Sequence, residues 1–311
     1  MEKMEAGFRE RMGKMELEVS QLREAFTLSG EASRLHIKSE QASPKRKLDE
    51  APPKSKADET PPKSKADQAP AKRKVEQAPA KKKEIDAAMY VFRERTSLKR
   101  WRPHRVAFMT VVFSNMIKKE YGHLEAQGRK SYMLHNLLLQ YGKGVLPPHG
   151  RTHEIWNIDV DRLYVPVHVS GNHWIALCIS FVTRSIDVFD CSGRKMYKEV
   201  DGFANLIPRI VKAVQPMRHQ KDFAVGAYTV SYVPVRNLNK SACDCGVYAV
   251  NFIECHALGL ELSLLHDGNI IEAHHMILWD LWEAANDPEL IDRMSKYQSP
   301  ECLSSTVEEI L

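Results

Sequence analysis

The chain has 311 residues, 43% of them hydrophobic and 27% charged, with a formal net charge of +5. About two domains is the prior for this length, and no apolar run reaches the roughly 18 residues of a membrane-spanning helix, so no membrane partner is expected. Six cysteines, Cys178, Cys191, Cys243, Cys245, Cys255 and Cys302, all lie in the second half, with no secretory segment ahead of them; this predicts reduced thiols in a soluble intracellular protein.

In residues 1–39, Phe8, Met12, Met15, Val19, Leu22 and Phe26 recur at spacings of 4 and 3 with charged residues between them. That spacing predicts an amphipathic helix, for self-association, for a partner, or folded back on the rest of the chain. Residues 40–84 repeat a nine-residue unit five times: EQASPKRKL, DEAPPKSKA, DETPPKSKA, DQAPAKRKV and EQAPAKKKE. A proline in every unit opposes a continuous helix and there is almost no apolar surface to bury, so this tract is expected to be disordered. Its 13 Lys/Arg against 8 Asp/Glu account for the whole net charge, so the remainder is balanced. Any nucleic-acid contact should therefore be weak and non-specific. The basic clusters at 43–47 and 71–75 suit a nuclear-import receptor and hence a nuclear location, the alternative being a solvated linker.

The folded domain is expected at 85–298, with a tail at 299–311. Residues 85–116 look helical, from Ala87, Val91 and Phe92 through Val106, Phe108, Val112 and Met116. A short helix is expected at 133–141 and a loop at 142–151, where glycines flank Pro147 and Pro148. Strands follow at 162–169, 174–181 and 184–190. The middle one is an almost unbroken apolar run, as in a strand buried on both faces, and the short connection makes the next strand its antiparallel neighbour. A helix at 203–214, a strand at 227–235 and helices at 245–258 and 270–285 complete an α+β pattern, a central sheet flanked by helices.

Three side chains in this pattern make a nucleophile, a base and an orienter. Cys245 opens a helical run, where unpaired backbone N–H groups and the helix dipole favour a thiolate. Gly246 after it leaves room for substrate backbone. His173 stands at the entrance to the apolar strand, and Asp190 ends the adjoining strand 17 residues later. An antiparallel return near Thr183 brings those two ends together, so the carboxylate can hold the imidazole in its working tautomer. The bland alternatives are a buried structural thiol and one structural histidine among 13. Cys243 and Cys245, with Cys255-His256 beyond, invite a zinc site. Structural zinc pairs usually recur as Cys-x2–4-Cys, however, and Cys245 and Cys255 would share one helix, so no metal or other cofactor is expected.

The strings Asp161-Arg162-Leu163-Tyr164-Val165-Pro166-Val167, Gly171-Asn172-His173-Trp174, Ile186-Asp187-Val188-Phe189-Asp190 and Asp244-Cys245-Gly246-Val247-Tyr248 resemble the ubiquitin-like-protein (SUMO) specific cysteine proteases. The segment Phe252-Ile253-Glu254-Cys255-His256-Ala257-Leu258-Gly259 looks like the branch expanded in plants. The resemblance implies a papain-like cysteine protease fold with a central mixed sheet. It implies His173 as general base, Asp190 as orienter, Cys245 as nucleophile, and Trp174 as cover of the narrow channel for a Gly-Gly tail. The expected partner is a SUMO-like modifier, as precursor or conjugate, cleaved after its C-terminal glycine. Three departures stand against the family pattern. The glutamine expected before the nucleophile is replaced, leaving Asn239, or Asn237 with a re-spaced loop, as the oxyanion donor. Cys243 stands where a small residue is usual, and a Trp-Leu pair is missing before Ile85-Asp86. The alternative function is therefore a catalytically impaired module that still binds a ubiquitin-like protein.

Overall fold

A computed structural model describes residues 78–101, 103–147, 151–169, 172–195, 197–235 and 238–296. The helix expected in 1–39, the repeats through residue 77, the tail at 299–311, Gly171 and Asn237 lie outside the described residues. Along the chain come α1 (Ala78–Ser97), β1 (Val106–Phe108), α2 (Val111–Gln127), α3 (Asn136–Gly142), β2 (Arg162–Val169), β3 (His173–Ser180) and β4 (Ser185–Phe189). They are followed by α4 (Lys198–Val214), α5 (Met217–Gln220), β5 (Thr229–Tyr232), α6 (Cys245–Leu258), α7 (Ile270–Asn286) and α8 (Pro288–Ser295).

The strands form one mixed sheet in the order β1-β2-β3-β4-β5. β2, β3 and β4 pair antiparallel, while β1 runs parallel to β2 and β5 parallel to β4. Period-two alternation splits the central strands between two cores. Leu163, Val165 and Val167 with Ile175, Leu177 and Ile179 join Phe113 and Ile117 of α2 and Phe203 and Ile207 of α4. Tyr164, Trp174, Ala176 and Cys178 join Met89 and Phe92 of α1 and Tyr248 and Phe252 of α6 on the other face. Each fully buried aliphatic side chain contributes about 1.5–3 kcal/mol. A one-residue slip would exchange the two faces, so the register that positions the strand ends is strongly specified. Helix α6 is apolar nearly all round because it lies inside the second core. It stops at Gly259, whose left-handed φ of 70° lets its N–H return to the Cys255 and His256 carbonyls.

The mixed sheet with flanking helices is the expected architecture, while several elements differ in detail: α4 starts at Lys198 rather than 203, β5 is confined to Thr229–Tyr232, and α5 and α8 are additional. Residues 85–116 are not helical throughout: Val106–Phe108 is an edge strand opposite Arg162–Tyr164. Three residues are too few to show a period, and pairing with β2 decides their conformation. Helix α1 begins at Ala78, inside the last repeat unit expected to be disordered, rather than at Ile85. Pro79 falls in its first turn, where the missing N–H has no helical partner to lose. Among the described residues, no helix is long and apolar enough to cross a membrane.

Candidate active site

Because β3 and β4 are antiparallel, the start of one lies beside the end of the other. His173 is the first residue of β3, and Asp190 follows the last residue of β4. His173 Nε2 is 2.6 Å from Asp190 Oδ1. That leaves Nδ1 for the thiol of Cys245, which is hydrogen-bonded to the imidazole. Cys245 is the first residue of α6 and is 5% exposed. The positive end of the helix dipole favours negative charge on its sulfur.

Asp190 is 3% exposed, so burial alone would push its carboxyl up. Hydrogen bonds outweigh that effect. Besides His173, Oδ1 accepts from the Ser192 N–H at 2.8 Å. Oδ2 accepts from the Ser192 hydroxyl at 2.8 Å, the Arg194 N–H at 3.1 Å and the Tyr197 hydroxyl at 2.6 Å. The net result holds the carboxyl at about 2. Burial also works against charge on His173, and here the bonds to Asp190 and Cys245 prevail, raising the imidazole to about 9. The arrangement thus favours an imidazolium at His173, which is what a thiolate–imidazolium pair requires. Tyr197 and Ser192 are functional neighbours that strand periodicity could not reveal. The only sequence signal was a hydroxyl-bearing loop, Asp190-Cys191-Ser192-Gly193, directly after the strand.

The segment before the nucleophile is braced by side chains. Asn239 takes a φ of 63°. Its Oδ1 accepts from the Asp244 N–H at 3.0 Å and from the Ser241 hydroxyl at 3.1 Å, while its own N–H donates to Asp267 Oδ1 at 2.6 Å. Its amide side chain also reaches the Cys191 thiol. Leu238 N–H bonds to the Cys191 carbonyl at 2.9 Å, tying this loop to the end of β4. Trp174 is 3% exposed and lies tilted against His168, ring centres 4.9 Å apart. A Cβ on Gly246 would come 3.6 Å from the Trp174 ring and 3.4 Å from Ile85. Gly246 therefore faces both an indole from β3 and an aliphatic side chain from α1, at ordinary contact distance for a Cβ.

The cysteines suggested for zinc do not converge. Cys245 and Cys255 lie ten residues apart on α6, about 15 Å of helical rise. His256 Nδ1 is occupied by the Tyr164 hydroxyl at 3.0 Å. His173, Asp190 and Cys191 do bring possible ligand atoms within 4.8 Å of one another. Burial, however, pushes the Cys191 thiol up to about 12, away from the thiolate a metal needs.

The model of the Ulp1 protease family, C-terminal catalytic domain, matches residues 81–293. No curated protein sequence matches the chain. Among solved structures, the chain is similar to the yeast Ulp1 protease domain in complex with Smt3, the yeast ortholog of SUMO (12% identity, 67% of this chain and 82% of that one, TM-score 0.38). It is also similar to the Chaetomium thermophilum Ulp1-like SUMO protease catalytic domain (15% identity, 63% and 69%, TM-score 0.41). With the family model covering well over half of its length, the chain belongs to the Ulp1 protease family and carries that family's C-terminal cysteine protease domain.

Proposed function

We propose that this cysteine protease cleaves the bond after the C-terminal glycine of a SUMO-like modifier, in a precursor or a conjugate. The single observation that carries the proposal is His173 hydrogen-bonded to both Asp190 and Cys245. The Cys245 thiolate attacks the glycine carbonyl carbon, forming a C–S bond and an oxyanion. His173, protonated at Nδ1, gives its proton to the leaving amine as the C–N bond breaks. Water then attacks the thioester, His173 accepts its proton, and the modifier leaves with a free carboxylate. Asp190 stays ionised throughout and keeps the ring in place. The backbone amides at the start of α6 are the first oxyanion donors, and the Asn239 amide is the proposed second.

Family membership supports the substrate class, as does the setting of Gly246 beside Trp174 and Ile85. A close indole and a glycine backbone suit an extended tail without side chains, such as Gly-Gly. A fluorogenic SUMO-tail substrate and a SUMO vinyl sulfone test this directly. Wild type should turn over the first and be captured by the second, and Cys245→Ala should do neither. Equal rates for wild type and Cys245→Ala would defeat it; tight modifier binding without turnover would favour the impaired module. The basic clusters at 43–47 and 71–75 support a nuclear location, tested by whether a reporter fused to residues 40–84 enters the nucleus.

A further inference from the structure

Trp174 has a histidine for its cross-strand partner, and the protease chemistry leaves that histidine without a role. In the antiparallel register of β2 and β3, His168 stands opposite Trp174 and Val169 opposite His173. Alternation along β2 puts His168 on the face of Tyr164 and Trp174, the face that packs on α6. The residue is half-buried there, and burial pushes its imidazole below the usual histidine range, which favours the neutral form.

Two contacts join His168 to the active site. Its ring lies against the Trp174 indole, tilted by 59° with centres 4.9 Å apart, within the range of favourable aromatic pairs. Its Nε2 is 3.1 Å from Asn172 Oδ1, an acceptor that a ring protonated at Nε2 serves. Asn172 takes a left-handed φ of 58° directly before His173. The Lys118 Nζ of α2 donates to the His168 carbonyl. His168 is thus fastened at its carbonyl and at Nε2 while its ring meets the indole.

We propose that His168 is a positioning residue for substrate selection, a role that rests on the reading of Trp174 as cover of a Gly-Gly channel. By fixing the indole, His168 makes the site choose glycine over alanine at the penultimate residue of the modifier tail. Trp174 lies beside Gly246, next to the nucleophile, 3.6 Å from the position a Cβ there would take. A tail that passes the indole on its way to Cys245 is gauged by where the indole sits. A fixed ring excludes a methyl on the penultimate residue, and a ring free to pivot gives way to it.

The test compares full-length chains on fluorogenic modifier substrates ending in Gly-Gly or Ala-Gly, with kcat and KM read separately. Wild type should prefer Gly-Gly by at least about tenfold in kcat/KM, the lower end for one methyl in a fitted pocket. His168→Ala should cut that preference by about fivefold or more, with KM for Gly-Gly raised and its kcat within about threefold of wild type. His168→Phe, which keeps a ring against the indole, should hold the preference within about twofold. A merely structural histidine would lower Tm and slow both tails alike, leaving the preference intact. Should His168→Ala fail to fold, His168→Asn, which keeps an amide donor and drops the ring, should show the same loss. Trp174→Ala should lose the preference as well. A wild type without preference, or Trp174→Ala that keeps one, would bring down the channel reading and this proposal with it; turnover of neither tail would bring down the protease reading too. Loss in Trp174→Ala with an unchanged preference in His168→Ala or His168→Asn would overturn the role of His168 alone.

Discussion

Two aspartate–histidine pairs lie near Cys245, and the one nearer to it in sequence is the less buried. Asp244 directly precedes Cys245 and meets His274 Nε2 at 2.9 Å, with side chains 17% and 48% exposed. Asp190 lies far back in the chain and meets His173 Nε2 at 2.6 Å, with side chains 3% and 14% exposed. An exposed pair of the first kind contributes about 0–1 kcal/mol. Breaking a buried pair of the second kind leaves an uncompensated charge, at a cost of about 3–5 kcal/mol. Strand ends, not sequence adjacency, decide which imidazole meets the Cys245 thiol. Antiparallel β3 and β4 return His173 and Asp190 to one edge, while Ser192, Arg194 and Tyr197 supply the donors that keep the carboxylate ionised.

The sharpest way to break this contrast is to remove each histidine in turn. Turnover of a fluorogenic modifier substrate should fall by at least about 10,000-fold in His173→Gln. His274→Gln should stay within about threefold of wild type, as removal of a surface partner. The carboxylates come next: Asp190→Asn should cost roughly 100- to 10,000-fold and Asp244→Asn little beyond its brace to Ser241. Comparable losses from the two asparagine variants would erase the distinction.

Asn239 sharpens the contrast on the nucleophile's side. Asn239→Ala removes both the amide donor and the acceptor that holds the Asp244 N–H and the Ser241 hydroxyl. Asn239→Asp keeps the acceptor alone. If the amide stabilises the oxyanion, both variants should lose about 100- to 1,000-fold in kcat. Recovery in Asn239→Asp would make Asn239 a brace for the loop instead.

The smallest effect is on stability. His173 is raised from 6.5 to about 9, so its contribution is complete below 6.5 and disappears as pH rises through about 9. Asp190 is depressed from 3.8 to about 2, so its contribution is present above 3.8 and disappears as pH falls through about 2. Denaturation midpoints of wild type minus His173→Gln should therefore shrink between 6.5 and about 9. The alkaline fall in turnover should sit near the same upper value in wild type and lower in Asp190→Asn.

Long, strongly patterned elements were legible in the sequence. The β2 and α6 bounds coincide with those expected from alternation and from the helical run after Asp244. The paired ends at His173 and Asp190 followed from the short turn at 181–184. What stayed hidden depends on partners remote in sequence. β1 exists because Arg162–Tyr164 pairs with it, and α1 starts early because a proline in a first turn does not break a helix. Tyr197 reaches Asp190 from the loop before α4, and Ile85 reaches Gly246 from α1. No local period records either contact.

The most direct test is alkylation of the cysteines by iodoacetamide across pH, resolved residue by residue with peptide mass mapping. Cys245 is hydrogen-bonded to His173, whereas Cys243 is an exposed thiol two residues away. At about pH 6, Cys245 should react at least roughly 30 times faster than Cys243, and His173→Gln should bring the two rates together. Equal rates in wild type, or a Cys245 rate untouched by His173→Gln, would contradict the ion pair on which the proposed mechanism rests.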